Sequence, residues 1–349
     1  MDVLSGSVLT DDDIISGYVC IEGGRVVAIE EGKPSETPLA TGLVMPPMVN
    51  SHTHCADAGL KIRPGMTIDD LVAPPNGLKH RYLRSLTAQQ LENNISRYAE
   101  ISNRNGIGIF IDFREGGEEG CRILRKTAPG SVILGRPLSE EYDYNEMNCI
   151  LGIADGIGIS SISDMNTRHL EQIADHTRRA NKILAIHASE KEREDMDLIL
   201  SLDPTFIVHM VEATDSDLLK CAESEVPIVV CARSNRYFGK VPPVKRMLEC
   251  GADIAIGTDN AMLCDPDMRS EASVFRDILV SQGGLSGDVA DPMLRQGRKI
   301  LYPHNKIHVS VGMPADLTVL PCPGEFQVDR MLRDRGGVFR YKPETGESK

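Results

Sequence analysis

Val49-Asn50-Ser51-His52-Thr53-His54 is the stretch whose reading decides the fold of this chain. It ends an apolar run, Gly42-Leu43-Val44-Met45-Pro46-Pro47-Met48, which a proline pair interrupts. In an extended segment, residues at i and i+2 point to one face, so His52 and His54 stand side by side. Neutral imidazole is the commonest biological metal ligand, and two on one face can grip one ion. A lone His-x-His equally marks an exposed strand end with two unrelated histidines. The choice depends on whether the chain supplies further ligands at suitable places.

Working outward, short apolar runs rich in Val, Ile and Gly alternate with longer charged, helix-like segments. The runs are 43–49, 107–113, 132–134, 156–159, 183–187, 206–209, 227–231 and 252–256. The helix candidates include 88–101, 167–180 and 189–200, the last opened by Ser189 with Glu192 in a capping-box spacing. Buried-type strands alternating with helices predict parallel βα units. Eight of them close a barrel, and the span 45–304 matches the roughly 250 residues typical of that fold. An open doubly wound sheet is the alternative. No GxGxxG opens the first helix, which weakens a dinucleotide-binding version of it.

Both ends of the chain are β-like. Segments 18–22 and 25–29 flank Gly23-Gly24, a hairpin signal. Strand and turn signals return at 306–309 and in Gly312-Met313-Pro314-Ala315-Asp316-Leu317-Thr318-Val319-Leu320. The expected fold is therefore α/β: a (β/α)8 TIM-type barrel over 45–304, with a small β-sandwich-like domain formed by both chain termini, 1–44 plus 305–349.

Composition narrows the partners. With 38 basic against 51 acidic residues the net charge is −13. No positive field is available for a nucleic acid polymer or an anionic membrane, so neither is expected. No run of 18 apolar residues predicts a transmembrane helix, and no signal peptide is apparent at Met1-Asp2-Val3-Leu4. Nine scattered cysteines without a CxxC pair suit a reducing, cytoplasmic setting. Cys55, beside His54, should point to the opposite face. The partner expected is a small-molecule substrate, with a homodimer left open.

A barrel puts its active-site residues at the C-terminal ends of strands. His52 and His54 end the first run, His187 the fifth, His209 the sixth, and Asp259 follows the eighth. Each alone is ordinary. Five ligand-type residues at the same end of four runs are much harder to explain as coincidence.

On these residues the chain resembles the amidohydrolase superfamily, within it the cytosine/guanine/S-adenosylhomocysteine deaminase and chlorohydrolase branch. The resemblance rests on His52-Thr53-His54, His187-Ala188-Ser189-Glu190, His209, Cys231-Ala232-Arg233-Ser234-Asn235, Gly257-Thr258-Asp259-Asn260 and Gly312-Met313-Pro314-Ala315-Asp316-Leu317. It implies His52, His54, His187 and Asp259 as metal ligands, and Glu190, His209 and Asp259 as catalytic groups. Such a donor set suits one divalent ion, zinc first, with iron or manganese as alternatives. Many relatives bridge two metals with a carboxylated lysine at the end of strand 4. The run 156–159 is followed by Ser160, which points to one metal and to the deaminase branch.

The activity so implied is hydrolysis of a C–N bond other than a peptide bond: deamination of a cyclic amidine in a nucleobase-, nucleoside- or pterin-like molecule. Hydrolysis of a cyclic amide or a C–halogen bond on the same site is the alternative, and a non-catalytic barrel homologue a distant third. Glu190 would also be favoured in the first turn of a helix by the dipole alone. For substrate, Arg114, Arg136, Arg233 and Asn235 are placed to face the site, with Glu115 beside them. The stretch 56–81 reads as a lid, with Asp57, Lys61 and Arg63 as candidate contacts.

Overall fold

The structure, a computed structural model, describes residues 1–11, 13–73, 76–303 and 307–343. Four strands open the chain: β1 (Asp2–Leu9), β2 (Ile14–Glu22), β3 (Arg25–Glu31) and β4 (Ala40–Met45). Then follow β5 (Met48–His54), β6 (Ile107–Arg114), β7 (Val132–Gly135), β8 (Gly156–Ile159), β9 (Ile183–Ala188), β10 (Phe206–His209), β11 (Ile228–Val230), β12 (Ile254–Ile256) and β13 (Asp259–Asn260). Two more, β14 (Leu317–Leu320) and β15 (Phe339–Tyr341), close the chain.

Strands β5 to β12 pair in parallel, each with the next. The order of this sheet is β12-β11-β10-β9-β8-β7-β6-β5-β13. Its two edges, β12 and β13, are halves of one stretch parted only by Gly257-Thr258. The edges therefore meet, and the sheet curls into a barrel-like α/β fold. Asn50 and Thr258 lock this closure: the Asn50 Nδ2 donates to Thr258 Oγ1 at 2.7 Å, and the Thr258 N–H donates back to Asn50 Oδ1 at 2.9 Å. Helices such as Ala88–Arg104 and Thr167–Arg179 lie between the strands in sequence. Strands covered on both faces must be apolar throughout, and β8, β10, β11 and β12 are buried along their whole length.

The terminal strands form one mixed six-stranded sheet, β15-β14-β4-β1-β2-β3, which buries Leu4, Val19, Val44 and Leu317. Both chain ends do meet there as expected. Among the described residues, however, the unit is a single sheet rather than a stacked pair.

Four local expectations are corrected. The run 43–49 is two strands, not one. Pro46 and Pro47 cannot donate to a ladder, so the chain leaves the terminal sheet at Met45 and enters the barrel at Met48. Segment 189–200 is helical only from Met196, capped by Asp195, whose side chain accepts from the N–H groups of Asp197 and Leu198. Ser189 makes no capping box; it sits at φ 49° and exchanges hydrogen bonds with Glu194. Residues 307–309 form no strand, although Val309 N–H donates to Leu9 O at 2.9 Å. Lys306, and with it the expected domain limit at 304–305, lies outside the described residues. The segment 56–81 contains short helices at Ile68–Leu71 and Leu78–Ser85, with Pro74 and Pro75 outside the described residues. No described helix is long and apolar enough to cross a membrane.

β8 shows how tightly the sheet is built. A Cβ on Gly156 would stand 2.0 Å from the Ile183 carbonyl oxygen. Gly156→Ala should part β8 from β9 and cost at least about 1–3 kcal/mol, the usual range for overpacking. Urea denaturation checks this: a lowered midpoint is expected, and an unchanged one would refute the close approach.

Candidate metal centre

The strand ends converge. His52 and His54 come from β5, His187 from β9, His209 from β10 and Asp259 from β13. His52 Nε2 lies 3.2 Å from Asp259 Oδ1 and 3.2 Å from His187 Nε2. His54 Nε2 is 3.6 Å from the same Asp259 oxygen. Candidate ligand atoms of His52, His54 and His187, and of His52, His209 and Asp259, lie within 4.8 Å of one another.

Backbone acceptors set the ring orientations. His187 Nδ1 is 2.8 Å from Ile159 O, and His54 Nδ1 is 3.1 Å from Phe113 O. A carbonyl accepts only, so each Nδ1 carries the proton and each Nε2 is bare. Ser234 Oγ donates to Asp259 Oδ2 at 2.5 Å, which leaves Oδ1 to face the rings. The backbone is strained to reach this arrangement. His209 at φ 77° and Asp259 at φ 60° occupy the left-handed region that non-glycine residues seldom visit. Such strain concentrates at functional sites.

Burial settles the charge states. It depresses the pKa of His52 and of His209 to about 4, and that of His187 well below its ordinary value. Neutral imidazoles are what a metal needs. Burial works to raise Asp259, but contact with His52 and the other surrounding imidazoles outweighs it and holds the carboxyl well below the usual range. Bare ring nitrogens crowded against a carboxylate in a dry interior are satisfied by a shared cation. These donors therefore fit a divalent ion, and the nitrogen and carboxylate set matches zinc, iron or manganese chemistry.

Above the ligands lies a cavity of about 250 Å³, lined by Glu190, Glu115, Lys79, His80, Arg136 and the serines 160, 161 and 163 among others. Glu190 stands in a loop, its Oε2 3.6 Å from His209 Nε2. Of the residues expected to meet substrate, Arg136 and Glu115 line the cavity, Arg136 lying 3.8 Å from Asp164. The others are placed elsewhere. Arg114 is buried and donates to Asp112 and Glu115. Arg233 donates to the Asp265 carbonyl and lies 4.0 Å from Glu271. Asn235 sits behind His209, its Nδ2 3.3 Å from His209 Nδ1. Asp57 is buried and staples the loop after β13, accepting from Asn260 Nδ2 at 2.8 Å and Met262 N–H at 2.9 Å. Lys61 and Arg63 are exposed and outside the cavity lining. Cys55 Sγ turns from the ligands toward Arg114.

Sequence reasoning overlooked Ser234, Lys79 and Glu194. Ser234 stands inside the Cys231–Asn235 motif, so its position was available, but nothing local reveals that it bonds Asp259. Lys79 lies on the helix Leu78–Ser85, far from any motif.

Two outcomes follow. A Cβ on Gly257 would stand 2.6 Å from the His52 nitrogen. Gly257→Ala should displace His52 and weaken metal binding measured by chelator competition, while an unchanged affinity would refute the close fit. Glu271, buried beside Arg233, has its pKa pushed up by burial to about 8, above the ordinary 4.5. The native state therefore holds a proton that the unfolded chain releases. Its stabilising effect is complete below about pH 4.5 and lost as pH rises through about 8. Urea midpoints of wild type and Glu271→Gln across pH 5–9 should diverge in that sense; parallel profiles would refute it.

Comparison with known proteins gives the family. The family model described as Amidohydrolase family matches residues 43–320. A candidate aminohydrolase of Archaeoglobus fulgidus is 33% identical over 274 residues, 78% of each chain. A 5-methylthioadenosine/S-adenosylhomocysteine deaminase of Thermotoga maritima is 27% identical, covering 70% of this chain and 65% of its own. Guanine deaminase from C. acetobutylicum with bound guanine superposes at a TM-score of 0.77 and 13% identity, over 97% of this chain and 98% of its own. An adenosine deaminase from Xanthomonas campestris with bound zinc gives 0.76 and 17%, over 96% and 89%. These two show likeness of fold. The chain belongs to the amidohydrolase family and is a metal-dependent hydrolase of carbon–nitrogen bonds.

Proposed function

We propose that the protein hydrolytically deaminates a small cyclic amidine, a ring carbon bearing an amino group next to a ring nitrogen. Water adds to that carbon, the C–NH2 bond breaks, and ammonia leaves behind a carbonyl. The observation that carries this reading is Glu190: a half-buried carboxyl on the cavity wall, beside His209 and outside the ligand set. Burial, with the nearby Asp259 charge, raises its pKa to about 8, so it holds a proton at neutral pH. An acid poised near the working pH is what proton delivery to a ring nitrogen demands.

His52, His54, His187 and Asp259 would hold one divalent ion, zinc by preference. When bound, the ion supplies Lewis acidity that brings a water's pKa from 15.7 toward about 7. The rest falls to the chain. Asp259 takes the water's proton through Oδ1, while Ser234 holds Oδ2. Asn235 donates to His209 Nδ1, so His209 keeps its proton on Nε2, which faces the cavity. From there it hydrogen-bonds the attacking oxygen as negative charge develops. Glu190 protonates the ring nitrogen and makes the adjacent carbon electrophilic. No lysine follows β8, where Ser160 and Ser161 stand, and this supports a single ion. Arg136, which lines the cavity, would take a carbonyl or an anionic group of the substrate.

The test is ammonia release from a panel of purines, pyrimidines and pterins. Glu190→Gln should keep its metal and lose about 10²–10⁴ in turnover, the usual worth of a placed acid. Unchanged turnover would refute the proton-delivery role. No ammonia from any member of the panel would turn the reading toward cyclic amides.

A further inference from the structure

Behind His54 lies a pair of buried charges to which the chemistry above gives no part. Lys79 sits on the helix Leu78–Ser85, with its side chain 5% exposed. Its Nζ lies 2.5 Å from Glu115 Oε1, just past the end of β6. The same oxygen is 3.1 Å from His54 Nδ1, the ring nitrogen that faces away from the other ligands. The second oxygen, Oε2, accepts from Arg114 Nη2 at 2.6 Å. Arg114 also donates to Asp112 Oδ1 at 3.3 Å, and Asp112 Oδ2 accepts from the Cys55 N–H at 2.6 Å and the Thr53 hydroxyl at 3.1 Å. A line of alternating charge thus runs from the helix Leu78–Ser85 to the back of the His-x-His motif.

We propose that Glu115 is a positioning residue for His54, and that Lys79 ties the helix over the cavity to the same carboxylate. The inference rests on the metal reading of His54. Phe113 O already holds the ring's orientation, but a carbonyl brings no charge. A carboxylate on the distal N–H makes the facing nitrogen a stronger donor, and such partners set metal affinity. Two acids, Asp112 and Glu115, face two bases, Arg114 and Lys79. Their charges cancel, as buried ions must if they are not to cost stability. The arrangement also explains why Arg114 does not reach the cavity: it is held back as the counter-charge of this line. Because Lys79 stands on a helix that lines the cavity, that helix and the ring of His54 share one carboxylate.

The test separates folding from affinity. Zinc affinity is measured by chelator competition, together with the melting temperature of the metal-free chain, for wild type, Glu115→Gln, Lys79→Met and the double variant. Glu115→Gln strands Lys79 as an unpaired buried charge and should melt lower. The double variant removes both charges and should regain melting temperature, yet bind zinc about 10–100-fold more weakly than wild type. Lys79→Met alone leaves Glu115 on His54 and should lose far less affinity than the double. Wild-type affinity in the double variant overturns the proposal, as does an equal loss in Lys79→Met, which would assign the effect to helix packing. A wild-type chain that binds no zinc, iron or manganese overturns this inference and the metal reading together.

Discussion

Everything at the heart of this molecule depends on the crowding of unprotonated imidazole nitrogens around one carboxylate oxygen. His52 Nε2 lies 3.2 Å from both Asp259 Oδ1 and His187 Nε2 in a buried setting, with His54 at 3.6 Å from the same oxygen. Left to themselves, lone pairs at that separation repel, and burial removes the water that would soften the repulsion. The chain sustains the arrangement by fixing the His187 and His54 rings from behind through the Ile159 and Phe113 carbonyls at the ends of neighbouring strands. Ser234 holds the carboxylate from its far side. The left-handed backbone at His209 and Asp259 is part of the same cost.

The fold is arranged to meet that cost rigidly. Each ligand stands at or next to the end of a barrel strand: β5 and β9 are paired on both sides, and β13 pairs with β5. Closure of the sheet runs through the site itself. Gly257 lets the chain pass close to His52, and the Asn50–Thr258 pair locks β13 against β5. The cavity wall is built differently, from loops and the covering segment after β5. Its serines, acids and bases are where a substrate would be chosen. The candidate metal donors belong to the floor, and Glu190 belongs to the wall.

The sequence made the floor readable and left the wall mostly hidden. Apolar runs such as 206–209 and 156–159 are buried on both faces, so their composition alone gives their limits. The ligand residues were visible because a barrel presents strand ends in register, and a short motif can report that. The first run misled because two sheets share it, and only the proline pair marks the change. Ser189 misled because a capping spacing is a local signal, while Glu194 claimed its hydroxyl and N–H through a loop contact. Arg114 and Arg233 follow strands as pocket residues do, yet their nearest acids draw them away, to Asp112 and Glu115 and to Glu271. Orientation after a strand end depends on partners distant in sequence, which spacing does not encode.

The central claim is that one ion sits among His52, His54, His187 and Asp259 and that carbon–nitrogen hydrolysis needs it. Elemental analysis of the purified protein, before and after chelation and after re-addition of zinc, tests it most directly when ammonia release is followed on the same samples. The account predicts one equivalent of metal per chain, with activity lost on removal and restored on return. Activity that survives complete removal of the metal, or a chain that takes up two equivalents or none, would contradict it.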